Sequence, residues 1–266
     1  MDALVIEWAS YLLLGAFAGI TAGLLGVGGG LIIVPVLVFI FSSHQFPTET
    51  IVHIAVGTSL ASIVMTSISS TWAHHKHRAV LWPVFWKLVP GIILGTFIGA
   101  VIADAMNAYS LRTFFGVFEL LVAAQMAMNI KPAAHRKLPN WFGTSSAGTG
   151  IGALSAIVGI GGGTLTVPFL LWCNTNMRKA VATSAACGLP IAVTGVVAYT
   201  LTGLNEASLP SGAIGYIYWP AFMGIVITSI LFAPVGAHLA HRLPINVLKK
   251  IFAVLLAVLG VRMLMP

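Results

Sequence analysis

Two runs of three glycines, Gly28-Gly29-Gly30 and Gly161-Gly162-Gly163, stand in near-identical settings: GVGGGLIIVP at 26–35 and GIGGGTLTVP at 159–168. Glycine is a poor helix former, by roughly 1 kcal/mol relative to Ala, so three in a row predict a break. A helix that restarts after a break offers free amides and the positive end of its dipole, which suits an anion. Pro35 and Pro168, five residues past each third glycine, are candidate hinges. The competing reading is close helix packing through small residues. A nucleotide-binding reading of the glycines lacks the strand–helix unit it needs.

Hydroxyls come next. AVGTSLA at 55–61 and AVATSAA at 180–186 place Thr58, Ser59, Thr183 and Ser184 after the glycine runs. Such hydroxyls donate to an anion without carrying charge into a membrane, or they bond neighbouring helices. Thr164 follows the second glycine run where Leu31 follows the first, so any two-part site is chemically unequal. Glu119 is the one acid inside an apolar segment, which marks it for possible proton coupling or as a neutral, hydrogen-bonded group. His74, His75 and His77 have metal-ligand chemistry, but no second cluster completes a site, so no metal is expected. Cys173 and Cys187 read as buried, inert thiols. No nucleophile–base pair appears, so no enzyme is expected, and no cofactor.

The elements that position these residues follow from composition. The 266 residues are 58% hydrophobic and only 7% charged, against about 25% charged for a soluble domain. Long charge-free stretches each hold a membrane segment of roughly 20 apolar residues. The fold class is an all-α polytopic membrane protein, one transmembrane domain over 1–266. The net charge of +7 sets topology rather than attracting nucleic acid. The start, MDALVIEW, has no basic region or cleavage site of a signal peptide. Landmarks recur in order: the glycine runs, the Thr-Ser pairs, Trp82-Pro83 with Trp219-Pro220, Gly99-Ala100 with Gly236-Ala237, and LRTFFGVF with LKKIFAVL. They predict an internal repeat, about 8–130 and 142–265, with a seam at 131–141. Segments are predicted over 8–41, 51–73, 82–103 and 111–130, then 142–173, 180–202, 213–240 and 246–265.

Eleven of thirteen basic residues fall in connections that can share the cytoplasmic side; Arg112 and Arg262 do not. Asp2, Glu7, Glu49, Asp104 and Glu206 fall on the other side. The segment 142–173 then enters and leaves on one side, and 8–41 does so on the other, as two arms meeting at the glycines. The halves become inverted repeats, each a Gly-broken re-entrant or hairpin segment plus three helices, a recurring transporter design. The alternative is eight simple spans in parallel repeats.

The doubled G-x-G-G-G…P, each followed by A-V-x-T-S, resembles the sulfite exporter TauE/SafE family of transporters over nearly the whole chain. The resemblance implies a multi-pass carrier of the plasma (inner) membrane for small sulfur-containing or organic anions such as sulfite or sulfonates, an exporter working by alternating access. It carries over Gly28, Gly29, Gly30, Thr58, Ser59, Gly161, Gly162, Gly163, Thr164, Thr183 and Ser184 as the substrate region. Members differ in solute and direction. No basic residue lies deep in a predicted span, which leaves backbone amides and hydroxyls as ligands. A passive anion channel and a non-transporting accessory protein are the competing classes. Expected partners are a small anion and the bilayer, with no nucleic acid; a homodimer is compatible with the sequence.

Overall fold

The computed structural model describes residues 2–25, 29–128, 137–240 and 245–265. The chain forms α1 (Asp2–Leu25), α2 (Gly30–Ser43), α3 (Ile51–Lys76), α4 (Trp82–Ala105), α5 (Ala108–Ala127), α6 (Trp141–Val158), α7 (Gly163–Trp172), α8 (Met177–Gly203), a hairpin β1 (Ala213–Ile214) and β2 (Ile217–Tyr218), α9 (Trp219–Ala240) and α10 (Ile245–Leu264). Among the described residues six helices are long and apolar enough to cross a membrane, within α1, α3, α4, α5, α8 and α9. The fold is therefore helical and polytopic. Asparagines start three helices: Asn107, Asn140 and Asn176 accept from the amides of Ser110, Gly143 and Arg178 at 2.8, 2.9 and 2.9 Å, which satisfies a donor with no intrahelical acceptor.

Helix α3 is buried continuously from Ile51 to Ile63, as expected of a helix apolar on all sides. It packs against α8. Gly195 lies on Leu60, Gly188 on Ser67, and Thr71 donates to the Ala185 carbonyl at 3.2 Å, so the two run antiparallel. Helices α5 and α10 are antiparallel too, Gly116 against Gly260 and the Arg112 guanidinium on the carbonyls of Arg262 and Met265. Two further pairs run parallel. Tyr11, Gly15 and Gly19 of α1 meet Gly224, Ile225 and Ser229 of α9. Gly91, Gly95 and Gly99 of α4 meet Ser145, Thr149 and Ala153 of α6. A Cβ at those α4 glycines would stand 1.8, 2.0 and 2.3 Å from the α6 carbonyl oxygens, so glycine at every fourth residue is what lets the backbones touch.

The predicted segments 8–41 and 142–173 are each broken. The arms are unequal: α1 has 24 residues and α2 14, α6 has 18 and α7 10. A 24-residue helix is about 36 Å long, so α1 is no short arm. Helix α2 turns back along it: Gly29 lies beside Ala18, while Phe41 and Tyr11 both pack on Tyr218, at ring distances of 5.5 and 6.5 Å. The predicted helix over 213–240 is corrected. Its first six residues form the hairpin, with Ala213 opposite Tyr218 and Ile214 opposite Ile217. Gly212 and Gly215 take φ of 94° and 56°, values that no helix contains. The seam residues 131–136, with Lys131 and Arg136, lie outside the described residues, as does Arg242.

Charge separates along the bundle. Glu7 meets Tyr218 at 3.3 Å and Asp104 meets Tyr216 at 2.9 Å. His53, at the start of α3, places Nε2 3.0 and 3.1 Å from the Ala103 and Met106 carbonyls at the end of α4. Lys76, Arg78 and Lys87 flank the opposite turn, next to the start of α8 with Arg178 and Lys179. Arg112 and Arg262 sit at the acidic end.

Candidate functional site

The second break is described throughout. Helix α6 stops at Gly159, whose φ of 70° puts it in the left-handed region, and the Ile160 amide bonds back to the Ser155 carbonyl at 3.0 Å. Gly162, at φ 77°, restarts the chain as α7; its carbonyl accepts from Leu165 and Thr166 at 3.1 and 2.7 Å. The first break ends in the same way. Gly29, at φ 75°, precedes α2 and accepts from Ile32 and Ile33 at 3.0 and 3.1 Å. Side chains rarely adopt this conformation, so glycine is required there. Gly28 lies outside the described residues.

The two breaks touch. A Cβ at Gly30 would lie 2.3 Å from the Gly159 oxygen and 3.0 Å from Ile160 Cα. Gly29, Gly30, Gly161, Gly162 and Gly163 are all buried. The amides of Gly30, Leu31, Gly163 and Thr164 lie in the first turns of α2 and α7, where no intrahelical acceptor exists. Leaving such donors empty in a membrane interior costs several kcal/mol each. What the arrangement can do is present two sets of buried N–H donors, each at the positive end of a helix dipole.

The Thr-Ser pairs divide in role. Ser59 Oγ donates to the Gly159 carbonyl at 2.9 Å and so holds the second break from α3. Thr58 Oγ1 accepts from the Tyr218 amide at 3.0 Å, and Thr183 Oγ1 accepts from the Leu81 amide at 3.0 Å. Each threonine thus fixes the residue that precedes a Trp-Pro helix start. Ser184 Oγ is buried and has no partner among the described residues.

Thr164 Oγ1 is also without a partner among the described residues, and so are Ser155 Oγ and Thr166 Oγ1, two hydroxyls that motif reasoning missed. A Cβ at Gly162 would stand 3.3 Å from Thr166 Oγ1 and 4.0 Å from Ser155 Oγ, so both flank the break. The signal was in the spacing: the matching positions of the first glycine run are Ala22 and Ile33. These four hydroxyls are free to turn toward a ligand.

Glu119, on α5, is fully buried, and neither carboxylate oxygen has a partner among the described residues. Pro35 lies inside α2 and Pro168 inside α7. Neither ends its helix. His75 Nδ1 accepts from Trp82 Nε1 at 3.2 Å, and no group of three or more potential metal ligands occurs among the described residues. Cys173 and Cys187 are free and buried.

Comparison with known proteins adds the family. The profile described as "Sulfite exporter TauE/SafE" matches residues 11–263. A relative from Haemophilus influenzae, "Probable membrane transporter protein", is 36% identical over 95% of this chain and 96% of its own. "Probable membrane transporter protein YunE" of Bacillus subtilis is 27% identical over 94% and 95%. A Methanocaldococcus jannaschii protein of the same description is 28% identical over 96% and 94%. No solved structure gives a significant match. With its glycine-broken helices, its apolar spans and a match over nearly its full length, the chain belongs to the sulfite exporter TauE/SafE family of multi-pass membrane transporters.

Proposed function

We propose that the protein exports small sulfur-containing or organic anions, such as sulfite or sulfonates, across the plasma membrane by alternating access. The observation that carries this reading is the contact of the two breaks, Gly30 against Gly159 and Ile160, with the buried amides of α2 and α7 beside it. The solute's oxygens take those amides, together with the hydroxyls of Thr164, Ser184, Ser155 and Thr166. Gly29, Gly30, Gly161, Gly162 and Gly163 form the backbone cradle. Ser59 holds it in shape through the Gly159 carbonyl, and Thr58 and Thr183 fix the Trp-Pro helix starts that follow Tyr218 and Leu81. In this scheme solute is held in an occluded state between the breaks, and rocking at the helix pairs admits it from alternate sides. Pro35 and Pro168 are the points at which the short arms bend.

Counterflow in proteoliposomes tests the carrier. External labelled sulfite or sulfoacetate should accumulate transiently against a preloaded, unlabelled pool. Flux without trans-acceleration would instead identify a passive anion channel, and absence of any flux in a folded preparation an accessory protein.

The reading includes two inverted repeats, about 8–130 and 142–265. It is supported by the antiparallel course of α3 against α8 and of α5 against α10, which occupy equivalent places in the two halves. Parallel repeats would run each pair the same way. Cysteines introduced at positions 49 and 178 should be labelled from opposite sides of the membrane, and those at 76 and 178 from the same side. An impermeant external reagent reaching 178 would sink the inversion. Glu119 couples transport to protons in this scheme, as an acid within a membrane segment whose carboxylate oxygens have no partner among the described residues.

A further inference from the structure

A second polar site lies away from the breaks, at the acidic end of the bundle. The outer face of α2 and the ends of α5 and α10 enclose a cavity of about 380 Å³. Arg112 and Arg262 line it with Ser42 and Ser43 of the end of α2, and Pro35, Val38, Phe39 and Met263 supply its apolar wall. These are the two arginines that break the charge segregation of the rest of the chain. None of the lining residues among the described residues is acidic, so two guanidinium groups share one cavity wall with hydroxyl and apolar side chains.

Their positions are built. Arg112 is the fifth residue of α5 and Arg262 the third from the end of α10, so both lie about one turn inside the helix ends, the depth of lipid head groups. Arg112 is held by donating through one terminal nitrogen to the carbonyls of Arg262 and Met265, while its Nε is buried without a partner among the described residues. Arg262 is exposed, and its guanidinium carbon stands 5.8 Å from the centre of the Phe39 ring. Phe39 is 58% exposed. From Ser43 to Pro35 the cavity wall follows α2 for eight residues, about 12 Å, and changes from hydroxyl to apolar on the way.

We infer that this cavity binds the phosphate of an anionic phospholipid, with its acyl chains along Phe39 and Pro35. A fork of guanidinium N–H groups matches a phosphate oxyanion, and the apolar continuation matches the chains attached to it. A free anion would use the arginines but leave the lower wall unfilled.

The test uses full-length protein, delipidated in a neutral detergent. Thermal stability and retained adducts, by native mass spectrometry, are followed on titration with phosphatidylglycerol, phosphatidylcholine and inorganic phosphate. Phosphatidylglycerol should bind saturably and raise the melting temperature, phosphatidylcholine should do so only weakly, and phosphate should neither mimic nor displace the lipid. Arg262→Gln removes one exposed charge and should weaken phosphatidylglycerol binding about fivefold, the equivalent of about 1 kcal/mol for one basic residue at a membrane surface. Lys179→Gln, which removes one charge near the opposite turns, should leave binding unchanged. Because Arg112 also ties α5 to α10, its conservative variant Arg112→Lys is used; it should fold and bind more weakly than wild type. Equal binding of the two lipids, or an unchanged affinity in Arg262→Gln, would overturn the site. Phosphate that saturates the same stabilisation and displaces the lipid would overturn the lipid assignment in favour of a soluble anion.

Discussion

Replacing Thr58 with valine separates two uses of the same hydroxyl. Thr58 is fully buried, and its Oγ1 accepts from the Tyr218 amide at 3.0 Å across a sequence separation of 160 residues. Valine keeps the shape and removes the acceptor. The Tyr218 amide, on a residue 8% exposed, is then left buried and empty, at a cost of about 1–3 kcal/mol. For a chain of this size each kcal/mol moves the melting temperature by about 2–4 °C, so a loss of roughly 2–12 °C is expected. Thr183→Val should cost less, because Leu81 is only half-buried and water can reach its amide. Thr58→Ser keeps the oxygen and should recover most of the difference. The assay is intrinsic-fluorescence melting in detergent at one fixed scan rate, since unfolding of such proteins is often irreversible. Solute affinity is measured on the folded fraction and should be little changed. A Thr58→Val protein that melts like wild type but no longer binds solute would refute the reasoning, because the hydroxyl would then serve the ligand and not the hairpin.

Three further outcomes follow from the same geometry. Gly95→Val should abolish folded protein on size-exclusion chromatography, since its Cβ would stand 2.0 Å from the Thr149 oxygen, whereas Gly150→Ala meets nothing within 4 Å and should stabilise α6 by up to about 1 kcal/mol. Ser155→Ala and Thr166→Val remove hydroxyls that have no partner among the described residues, so their melting temperatures should match or exceed wild type; a drop of several degrees would mean that these hydroxyls are already bonded. Glu119→Gln should flatten the pH dependence of transport in proteoliposomes, and an unchanged pH profile would remove the residue from coupling.

The breaks were legible because glycine runs have one physical meaning inside apolar segments, and the charge map was legible because basic residues cluster in short turns. Both are local signals. The partition of the Thr-Ser pairs was not legible: Thr58 and Thr183 find acceptor roles with Tyr218 and Leu81, and only the fold brings those residues together. The hairpin at 213–218 hid behind the apolar residues of GAIGYIYW, although Pro210, Gly212 and Gly215 mark a turn. Ser155 and Thr166 stand outside the shared motif, because their counterparts in the first half, Ala22 and Ile33, are apolar. The unequal arms reflect the same gap: α1 runs on to Leu25 because its stripe of small residues packs along α9, a contact that α1's own sequence does not reveal.

The central claim is that a small anion binds where the two breaks meet, on amides and on the hydroxyls that have no other partner. The most direct measurement is solute-dependent thermal stabilisation of the wild-type protein and of a combined Ser155→Ala, Thr164→Val and Ser184→Ala variant. Sulfite, thiosulfate, sulfoacetate, taurine and small carboxylates are titrated in turn. At least one anion should stabilise the wild type saturably, and the variant, melting normally without solute, should need at least tenfold more of it. Stabilisation of the variant at wild-type concentrations, by every anion that binds, would contradict the account and place the solute elsewhere in the protein.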